Sequence, residues 1–466
     1  MGRRMELIKP KVAPPLDSDF RPAALANRAF RDGVKASGQG VPLAIVLERK
    51  DGTRSRYDTE VFAPGSPRAA ENLSYVERIV KFLLWQRGGY KVIVGGPREI
   101  GEHIAKVYAP QGERAFDYDF MGRQVYEKDF VVEITDAEKA PAASEMSQAL
   151  GRHLDGCRIG FDAGASDRKV SAVVDGEPVL SEEVIWNPRP QTNPDYHYHE
   201  IMSALHRAAA HMPRVDAIGV SSAGVYINNR VMVASLFRGV PRDLFEAKAK
   251  DIFLRIRDEW GVPMEVVNDG EVTALAGSMS LGVNSILGVA MGSSEAVGYV
   301  TPEGTITNWL NELAFAPVDY APTAPVDEWS GDRGVGALYF SQQAIFRLAP
   351  VAGIALDENQ GLAERLACFQ ELHKNGDPRT RPVYETIGVY LGYTMAHYAD
   401  FYDVEHALIL GRVTSGDGGQ IIIDKAYEVL RAEFPQLAER LNLTMPDEKA
   451  KRVGQSIAAA SLPELK

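Results

Sequence analysis

The chain has 466 residues, of which 45% are hydrophobic and 24% are charged, and its formal net charge is −12. These values are ordinary for a globular protein, and the length allows two or three domains of roughly 150 residues each. The acidic balance disfavours nucleic-acid binding without a local basic patch, and two isolated cysteines, Cys157 and Cys368, disfavour a disulfide framework or a thiolate metal site.

The N-terminal segment, residues 1–22, is rich in proline and mixed in charge, so we predict an arm that lies over the surface. Its sequence, MGRRMELIKPKVAPP, lacks the hydrophobic core of a signal peptide. No apolar run in the chain approaches the roughly 20 residues that a membrane span requires. We therefore expect a cytoplasmic protein without membrane contact.

Residues 23–150 are predicted to form an extra α+β domain of unknown role. A helix at 74–89 begins with Ser74 and Glu77 at the spacing of a capping box and ends at Gly88. The other expected elements are two strands within 41–63, a strand over 90–96 followed by a short helix, a strand over 128–134 and a polar linker over 135–145. No basic recognition helix is evident in this part of the sequence, so a nucleic-acid partner is not expected.

After the linker, predicted strands and helices alternate, which indicates an α/β protein. A strand–turn–strand unit at 158–179 recurs at 284–306. The other predicted elements are helices at 202–212 and 244–261, strands at 215–226, 263–269 and 406–413, and helices in GEVTALAGSMSLG and EKAKRVGQSIAAASL.

Both strand–turn–strand units place glycine and small hydroxyl residues in a tight turn. Such turns expose backbone N–H groups that can hold phosphate oxygens, and a nearby aspartate can hold Mg²⁺ through water. Either turn alone is more typical of an ordinary hairpin, but two of them followed by a third Gly turn suit an ATP cleft between two lobes. The residues concerned are Asp162, Gly164 and Ser166 in the first turn, Gly292, Ser293 and Ser294 in the second, and Gly411 in the third.

Between these turns, the stretch VVNDGEVTALAG places Asn268 and Asp269 where a predicted strand meets a predicted helix. Polar side chains at such a junction usually cap the helix, but they can also point into a cleft and take part in chemistry. The residues alone leave both readings open, and the two roles can coexist.

In their order and spacing, these motifs resemble the ROK family of sugar kinases and transcriptional repressors, within the actin-like ATPase superfamily. The resemblance runs from about residue 157 to the C-terminus and rests on IGFDAGASDRK, AIGVSSAGVYINNRV, MEVVNDGEVTALAG, ILGVAMGSSEAVG, NELAFAPVD and ALILGRV. It implies an α/β, two-lobed actin-like ATPase (ribonuclease H-like) fold with an additional α+β N-terminal domain. The lobes would cover 151–276 and 277–466, with the C-terminal helix packing back on the first lobe.

The resemblance also implies ATP-dependent phosphorylation of a sugar or sugar-like polyol hydroxyl, with Asp269 as the general base. Phosphoryl transfer needs positioning, charge neutralisation and one carboxylate near the nucleophile, which agrees with this assignment. Asp162 would hold Mg²⁺ through water, and the protein would be a homodimer or a larger oligomer. The implied substrate-binding residues are Asn268, Glu312, Ser222 and Gly224, and the implied ATP- and phosphate-binding residues are Asp162, Gly164, Ser166, Gly292, Ser293, Ser294 and Gly411.

One segment departs from the family pattern. Phe315 stands where many members have a zinc-ligating His, and Glu328, Ser330 and Val335 stand where they have Cys. Because none of these supplies an imidazole or a thiolate, we expect no zinc. The family's second sugar-contacting Glu falls at Ala337, so we expect a ligand that is less polar than the usual hexoses or differently shaped.

Two further features leave alternatives open. Glu295, in the second turn, would repel phosphate if it pointed inward, which together with the lost sugar contact supports a second hypothesis, a catalytically weakened sugar-binding sensor or regulator on the same fold. A DNA-binding repressor has the least support. The pair His197 and His199 is more typical of a polar rim than of a metal site, because no carboxylate partner is evident.

Overall fold

The computed structural model describes residues 5–145, 150–164, 167–446 and 448–465. The predicted phosphate-binding residue Ser166 lies outside the described residues. The strands are β1 (Gly40–Glu48), β2 (Arg54–Phe62), β3 (Lys91–Gly95), β4 (Val131–Thr135), β5 (Cys157–Ala163), β6 (Asp167–Val174), β7 (Glu177–Ile185), β8 (Ala217–Ser222), β9 (Val225–Ile227), β10 (Arg230–Val233), β11 (Met264–Asn268), β12 (Ile286–Met291), β13 (Glu295–Val300), β14 (His406–Leu410) and β15 (Asn442–Thr444). The α-helices are α1 (Ala23–Ser37), α2 (Glu71–Arg87), α3 (Arg98–Val107), α4 (Ala115–Asp119), α5 (Asp195–Ala209), α6 (Arg242–Leu244), α7 (Ile252–Trp260), α8 (Asp269–Leu281), α9 (Gln342–Val351), α10 (Leu362–Lys374), α11 (Arg381–Tyr398), α12 (Asp417–Glu433), α13 (Pro435–Arg440) and α14 (Glu448–Ala460).

The N-terminal unit, residues 23–145, is built on a mixed sheet with the strand order β2-β1-β3-β4. β1 and β2 form the predicted hairpin, and β3 pairs with β4 in parallel. Alternate residues of β1 face opposite sides, as the pleat requires. Leu43 and Ile45 pack into the core shared with α1, α2 and α3, whereas Ala44 and Val46 pack on the other face against Ala140.

Helix α2 begins at Glu71, one turn before the predicted start, so the prediction of Ser74 as its N-cap is wrong. The Ser74 hydroxyl accepts the N–H of Met5 and donates to the carbonyl of Glu71 instead. The earlier start follows from Asn72, whose side-chain amide bonds both backbone groups of Phe62 and ties the first turn to β2. The C-terminal end, at Arg87, is as predicted.

The first lobe contains a five-stranded sheet in the order β11-β8-β5-β6-β7. β5, β8 and β11 are parallel, and β6 and β7 are antiparallel additions at one edge. Two predictions need correction here. The segment 177–185 was not predicted as a strand, because this exposed edge strand has a weak apolar pattern, and the single helix predicted at 244–261 is instead a π-helical turn (Phe245–Ala249) followed by α7.

The second lobe contains a four-stranded sheet in the order β13-β12-β14-β15. β12 pairs with β13 as the predicted hairpin and runs parallel to β14, which runs parallel to β15. Asn268 is therefore the last residue of a parallel strand, and Gly292 and Gly411 directly follow parallel strands, at the edge where α/β sheets bind ligands.

The C-terminal helix α14 packs against the sheet of the first lobe. A Cβ atom at Gly160 of β5 would collide with the carbonyl group of Ser456, and one at Gly219 of β8 would collide with that of Ala459. The hydroxyl groups of Ser171 and Ser456 are 2.6 Å apart. The two glycines thus let the helix backbone lie directly on the strands.

The N-terminal unit shares one continuous apolar core with the second lobe. This core also includes Val225 and Met232 of the β9–β10 hairpin, whereas the main core of the first lobe is separate. Phe82 of α2, for example, lies 4.2 Å from Phe401, ring centroid to ring centroid. The N-terminal arm crosses the second lobe, where Asp17 accepts from Tyr390 of α11 and Phe20 is fully buried. The N-terminal unit therefore packs mainly on the second lobe, although the first lobe follows it in the sequence.

Helix α11, with 18 residues, is the longest in the described part of the chain, and most of its residues are buried against neighbouring helices. Within that same part, no helix combines the length and the apolar character needed to cross a membrane.

Candidate active site

Asn268 and Asp269 occupy the junction between β11 and α8, as their pattern predicts. Asn268 is the last residue of β11 and the N-cap of α8, and its Oδ1 atom accepts the N–H of Gly270 at 2.8 Å. Both residues are partly exposed while Asn268 also caps the helix. The cap therefore leaves part of this junction accessible.

The amide of Asn268 connects the two lobes. Its Nδ2 atom donates to the carbonyl of Gly224 at 2.8 Å and lies 3.4 Å from Oε1 of Glu312. Gly224 belongs to the loop between β8 and β9 of the first lobe, whereas Glu312 follows β13 in the second. The side chain of Asn268 therefore brings together three of the four implied substrate-binding residues, namely Gly224, Asn268 and Glu312.

Asp269 is a carboxylate without a cationic partner among the described residues. Its Oδ1 atom accepts the N–H of Gly270 at 3.0 Å. Burial raises the pKa of Asp269, and backbone hydrogen bonds oppose the shift. A raised pKa makes this group a better proton acceptor than an ordinary surface aspartate.

Glu312 begins a short 3₁₀ turn, and its carboxylate is half-buried. Burial raises its pKa to about 7, with a smaller contribution from the charge of Asp269. Its backbone N–H donates to the carbonyl of Trp85 at 3.0 Å, a contact with the N-terminal unit that the sequence did not indicate.

Ser222 differs from the other implied substrate residues because it is fully buried. Its hydroxyl lies 2.6 Å from the hydroxyl of Tyr226, which the sequence reasoning did not single out. Tyr226 is half-buried, and its pKa is raised above the usual range, mainly by burial and also by the charge of Asp269. Of these two residues, only Tyr226 is partly exposed.

Asp162 lies at the end of β5, next to Ser221 of β8. Its Oδ1 atom accepts from Ser221 Oγ at 2.8 Å and from Gln455 Nε2 at 3.3 Å, and its Oδ2 atom lies 3.9 Å from Lys169 Nζ. Burial raises the pKa of Asp162 to about 6, and the charge of Asp269 contributes to the same shift.

The donor set around Asp162 fits a cation held through water. One carboxylate oxygen already accepts two hydrogen bonds and the other lies 3.9 Å from Lys169 Nζ, so a cation here would be held through water rather than by a dense shell of protein ligands. Because the charge of Asp269 raises the pKa of Asp162, a divalent cation near Asp162 would relieve this repulsion. Among the described residues there is no group of three or more His, Cys, Asp or Glu side chains that could hold a metal ion directly.

The first predicted phosphate turn is described up to Gly164. The carbonyl of Gly164 accepts the indole N–H of Trp186 at 2.8 Å. A Cβ atom there would meet the carbonyl oxygen of Asp167 at 2.6 Å, so a larger residue would disturb the turn.

The second predicted phosphate turn joins β12 to β13. The N–H of Gly292 donates to the carbonyl of Ser294 at 3.0 Å, and Ser293 and Ser294 are exposed at the tip. Glu295 does not point toward this tip. Its carboxylate is 3% exposed and accepts from the hydroxyl of Tyr398 at 3.1 Å inside the second lobe.

The third predicted turn lies directly against the second. Gly411 has a φ of 102°, and a Cβ atom there would collide with the backbone of Met291, the residue before Gly292. Glycine is therefore required at this position both by conformation and by space. A cavity of about 310 Å³ adjoins the turn and is lined by residues that include Leu410, Met445 and Gln455.

The segment that departs from the family pattern packs against the N-terminal unit. The ring of Phe315 lies 4.6 Å from that of Trp85 and 5.1 Å from that of Trp329, between ring centroids. Ala337 is also buried. Phe315 thus fills a protein interface and not the open cleft, so the less polar ligand that we expected is not supported by its placement.

The predicted polar rim at His197 and His199 is only half correct. His197 is fully buried within α5, where its Nε2 atom lies 2.8 Å from the carbonyl oxygen of Leu236. His199 is exposed. The two rings therefore do not share a site.

Comparison with known proteins gives matches among solved structures. No family model and no curated protein matches the chain. A ROK hexokinase from Thermus thermophilus aligns with a TM-score of 0.51 at 16% identity, over 65% of this chain and 97% of that one. A ROK family transcriptional regulator, a homologue of the E. coli MLC protein, aligns with a TM-score of 0.50 at 18% identity, over 70% and 82% of the two chains.

A third structure, a ROK family glucokinase from Streptomyces griseus in complex with glucose and AMPPNP, gives a TM-score of 0.48 at 18% identity, over 65% of this chain and 99% of that one. At these identities the similarity concerns the fold alone. The predicted two-lobed actin-like ATPase fold is confirmed. Among these matches, the fold occurs in an enzyme and also in a transcriptional regulator.

Proposed function

The chain has the ROK-family fold, and we propose that it transfers the terminal phosphate of ATP to a hydroxyl group of a sugar or sugar-like polyol. The observation that carries the proposal is the junction at the end of β11, where Asn268 contacts both lobes and the next residue, Asp269, is partly exposed. A position shared by two lobes is where an acceptor and a nucleotide can meet.

Asp269 is proposed as the general base. Its carboxylate is half-buried, and no cation within the described ranges forms an ion pair with it, so it is free to accept a proton from an acceptor hydroxyl. Its raised pKa strengthens it as a base, as long as the group is ionised at the working pH. The hydrogen bond from Gly270 fixes the direction of the carboxylate.

Asn268 and Glu312 are proposed to hold the acceptor. An amide and a carboxylate provide both a donor and acceptors, which suits an array of hydroxyl groups. The contact between them spans the lobes, so a ligand that bonds to both would favour a closed arrangement and exclude water from the phosphate.

The phosphates are proposed to lie between the first and second Gly turns, with the nucleoside near Gly411. Asp162 would hold Mg²⁺ through water, and Mg²⁺ supplies charge neutralisation for the transferred phosphate when it is bound. Ser293 and Ser294 are exposed at the tip of the second turn, where their backbone N–H groups would face the phosphate, while the N–H of Gly292 closes the turn. Because Glu295 is buried against Tyr398, its charge does not oppose phosphate at that tip.

The test is a coupled assay of ADP release across a panel of hexoses, amino sugars and polyols, with Asp269→Asn as the control. We expect turnover of at least one acceptor by the wild type and a kcat lower by about 10²–10⁴-fold in the variant. A kcat in Asp269→Asn close to that of the wild type would overturn the assignment of the base.

The same experiment separates the kinase from a sensor. A sugar that binds, as measured by calorimetry, without any turnover in the presence of ATP and Mg²⁺ would favour the sensor. Neither binding nor turnover across the panel would remove the sugar-directed function altogether.

A further inference from the structure

Two adjacent residues of the N-terminal unit, Tyr126 and Glu127, have different surroundings. Glu127 pairs with the first lobe, and Tyr126 is buried in the core shared with the second. They follow the π-helical turn Phe120–Val125, and Glu127 has a φ of 53°, a conformation that is uncommon for a residue with a side chain. Tyr126 is buried and Glu127 is partly exposed. The backbone at this point therefore directs two neighbouring side chains to separate surfaces.

Glu127 forms ion pairs with two residues of the first lobe. One carboxylate oxygen lies 2.7 Å from Lys250 Nζ, and the other lies 3.1 Å from Arg230 Nη1. The second oxygen is also 2.7 Å from Lys50 Nζ within the N-terminal unit. Hydrogen bonds from Lys250 and Lys50 lower the pKa of Glu127 to about 2, so the carboxylate is charged at any pH at which the protein works.

The ion pair with Arg230 connects Glu127 to the β9–β10 hairpin, which packs against the loop that contains Gly224. Arg230 begins β10, which pairs with β9 as a short hairpin. The carbonyl of Val233, at the end of β10, lies against Gly224. The carbonyl of Gly224 in turn accepts the amide of Asn268.

Tyr126 lies near the second-lobe side of the same site. Its hydroxyl and the side chain of Leu310 both pack against Gly88, at the end of α2. The next two residues after Leu310 donate their N–H groups to the last turn of α2, Asn311 to Gln86 at 2.9 Å and Glu312 to Trp85 at 3.0 Å.

From this geometry we propose that Glu127 is a positioning residue, which holds the β9–β10 hairpin of the first lobe and the 310–312 segment of the second at a fixed separation. The inference rests on the proposed function, since it assigns these two segments to the acceptor site. It gives the N-terminal unit a role in acceptor binding, although that unit supplies no side chain to the reacting atoms.

The first measurement is hydrogen exchange of the full-length, ligand-free protein. We compare Glu127→Gln with Glu102→Gln, a matched control in the same unit whose partner Arg98 is exposed. In Glu127→Gln we expect exchange over 225–233 and 310–315 to be faster by about tenfold, which corresponds to about 1.4 kcal/mol. In Glu102→Gln we expect no change.

The second measurement is steady-state kinetics on the acceptor found in the panel. In Glu127→Gln we expect the acceptor KM to rise by about tenfold, with the ATP KM and kcat close to those of the wild type. A double-mutant cycle with Lys250→Gln should be non-additive, because either substitution breaks the same ion pair.

Unchanged exchange in both segments would overturn the proposal, and so would faster exchange with an unchanged acceptor KM, which would mean that the ion pair is only structural. If the wild type turns over no acceptor, the proposed function fails, while the exchange experiment still decides whether Glu127 holds the two segments.

Discussion

The Nδ2 atom of Asn268 lies 3.4 Å from Oε1 of Glu312, so the last residue of a first-lobe strand reaches a carboxylate of the second lobe. The same amide donates to the carbonyl of Gly224, and its oxygen caps α8. One side chain thus combines a structural role in a helix with a position between the two lobes.

These roles are separable by substitution at Asn268. Serine retains an oxygen that can cap α8 but has no amide to reach Glu312, so we expect Asn268→Ser to melt near the wild-type temperature while the acceptor KM rises. Alanine removes the cap as well, and should cost about 1 kcal/mol of stability. Thermal melts and acceptor kinetics on both variants test this, and equal acceptor KM values in the wild type and Asn268→Ser would contradict it.

Asp269→Asn should lower kcat by about 10²–10⁴-fold, the usual contribution of a general base. The Asn oxygen can still accept the N–H of Gly270, so the fold and the melting temperature should be preserved. Steady-state kinetics with a thermal melt of the same preparation measure both effects. A variant that unfolds instead would show that the carboxylate is needed for the fold.

Gly411→Ala should raise the ATP KM several-fold, because the added Cβ collides with the backbone of Met291 beside the second phosphate turn. Gly416→Ala is the matched control, since Gly416 also has a positive φ but has no atom within 4 Å of an added Cβ. Nucleotide titrations of both variants compare the two effects. Similar losses in both would show that backbone strain, and not the contact with Met291, is responsible.

The N-terminal unit is joined to the second lobe by a buried network of charges centred on Asp332, which is 4% exposed. Its carboxylate lies 2.8 Å from Arg114, 3.3 Å from Arg78 and 3.6 Å from Lys81. Asp332→Ala removes the second-lobe carboxylate from three cations that keep Glu77 or Asp117 as a partner, and the lost hydrogen bond from Arg114 should destabilise the protein by about 1–3 kcal/mol.

The control for this network is Asp58→Asn, which breaks an exposed ion pair with Arg56 and should cost less than about 1 kcal/mol. Urea unfolding of the two variants gives the comparison. A small effect of Asp332→Ala would mean that the apolar core alone holds the N-terminal unit in place.

Stability should fall as pH rises because of Glu295. Burial raises its pKa from 4.5 to about 8 in the folded protein. Between these values the folded protein retains a proton that the unfolded chain has released, so this contribution favours folding at low pH and is lost on raising the pH toward 8.

Glu295→Gln removes that titration and keeps an oxygen for Tyr398. We expect the melting temperature of the variant to be close to that of the wild type at pH 5 and higher than it at pH 8.5. The increase should be roughly 2–4 °C for each kcal/mol of ionisation cost that the substitution removes. Melts at the two pH values test this, and a difference in melting temperature that does not change with pH would exclude Glu295 as the titrating group.

Much of the fold could be predicted because its signals are local. The strand–turn–strand units, the strand-to-helix junction at Asn268 and the glycines of the three turns all depend on neighbouring residues. The cap of α2 was misplaced because Ser74 bonds to Met5, far away in the chain, and no local pattern reports such a contact.

The residues that contact the proposed site from distant parts of the chain could not be predicted, because no local pattern reports such contacts. Gln455 reaches Asp162 from the last helix, and Trp85 meets Glu312 from the N-terminal unit. Both contacts join segments more than 200 positions apart, and neither residue stands in a motif. Only the tertiary packing of the helices brings them together.

The glycines at 160 and 219 bear on how the protein is made. Because they lack side chains, they leave space on β5 and β8 for the backbone of α14. Helix α14 is the last helix in the described part of the chain. During synthesis, the sheet of the first lobe therefore leaves the ribosome long before its covering helix does. That face of the sheet stays uncovered until residues 448–460 have been made, so the core of the first lobe is completed late in synthesis.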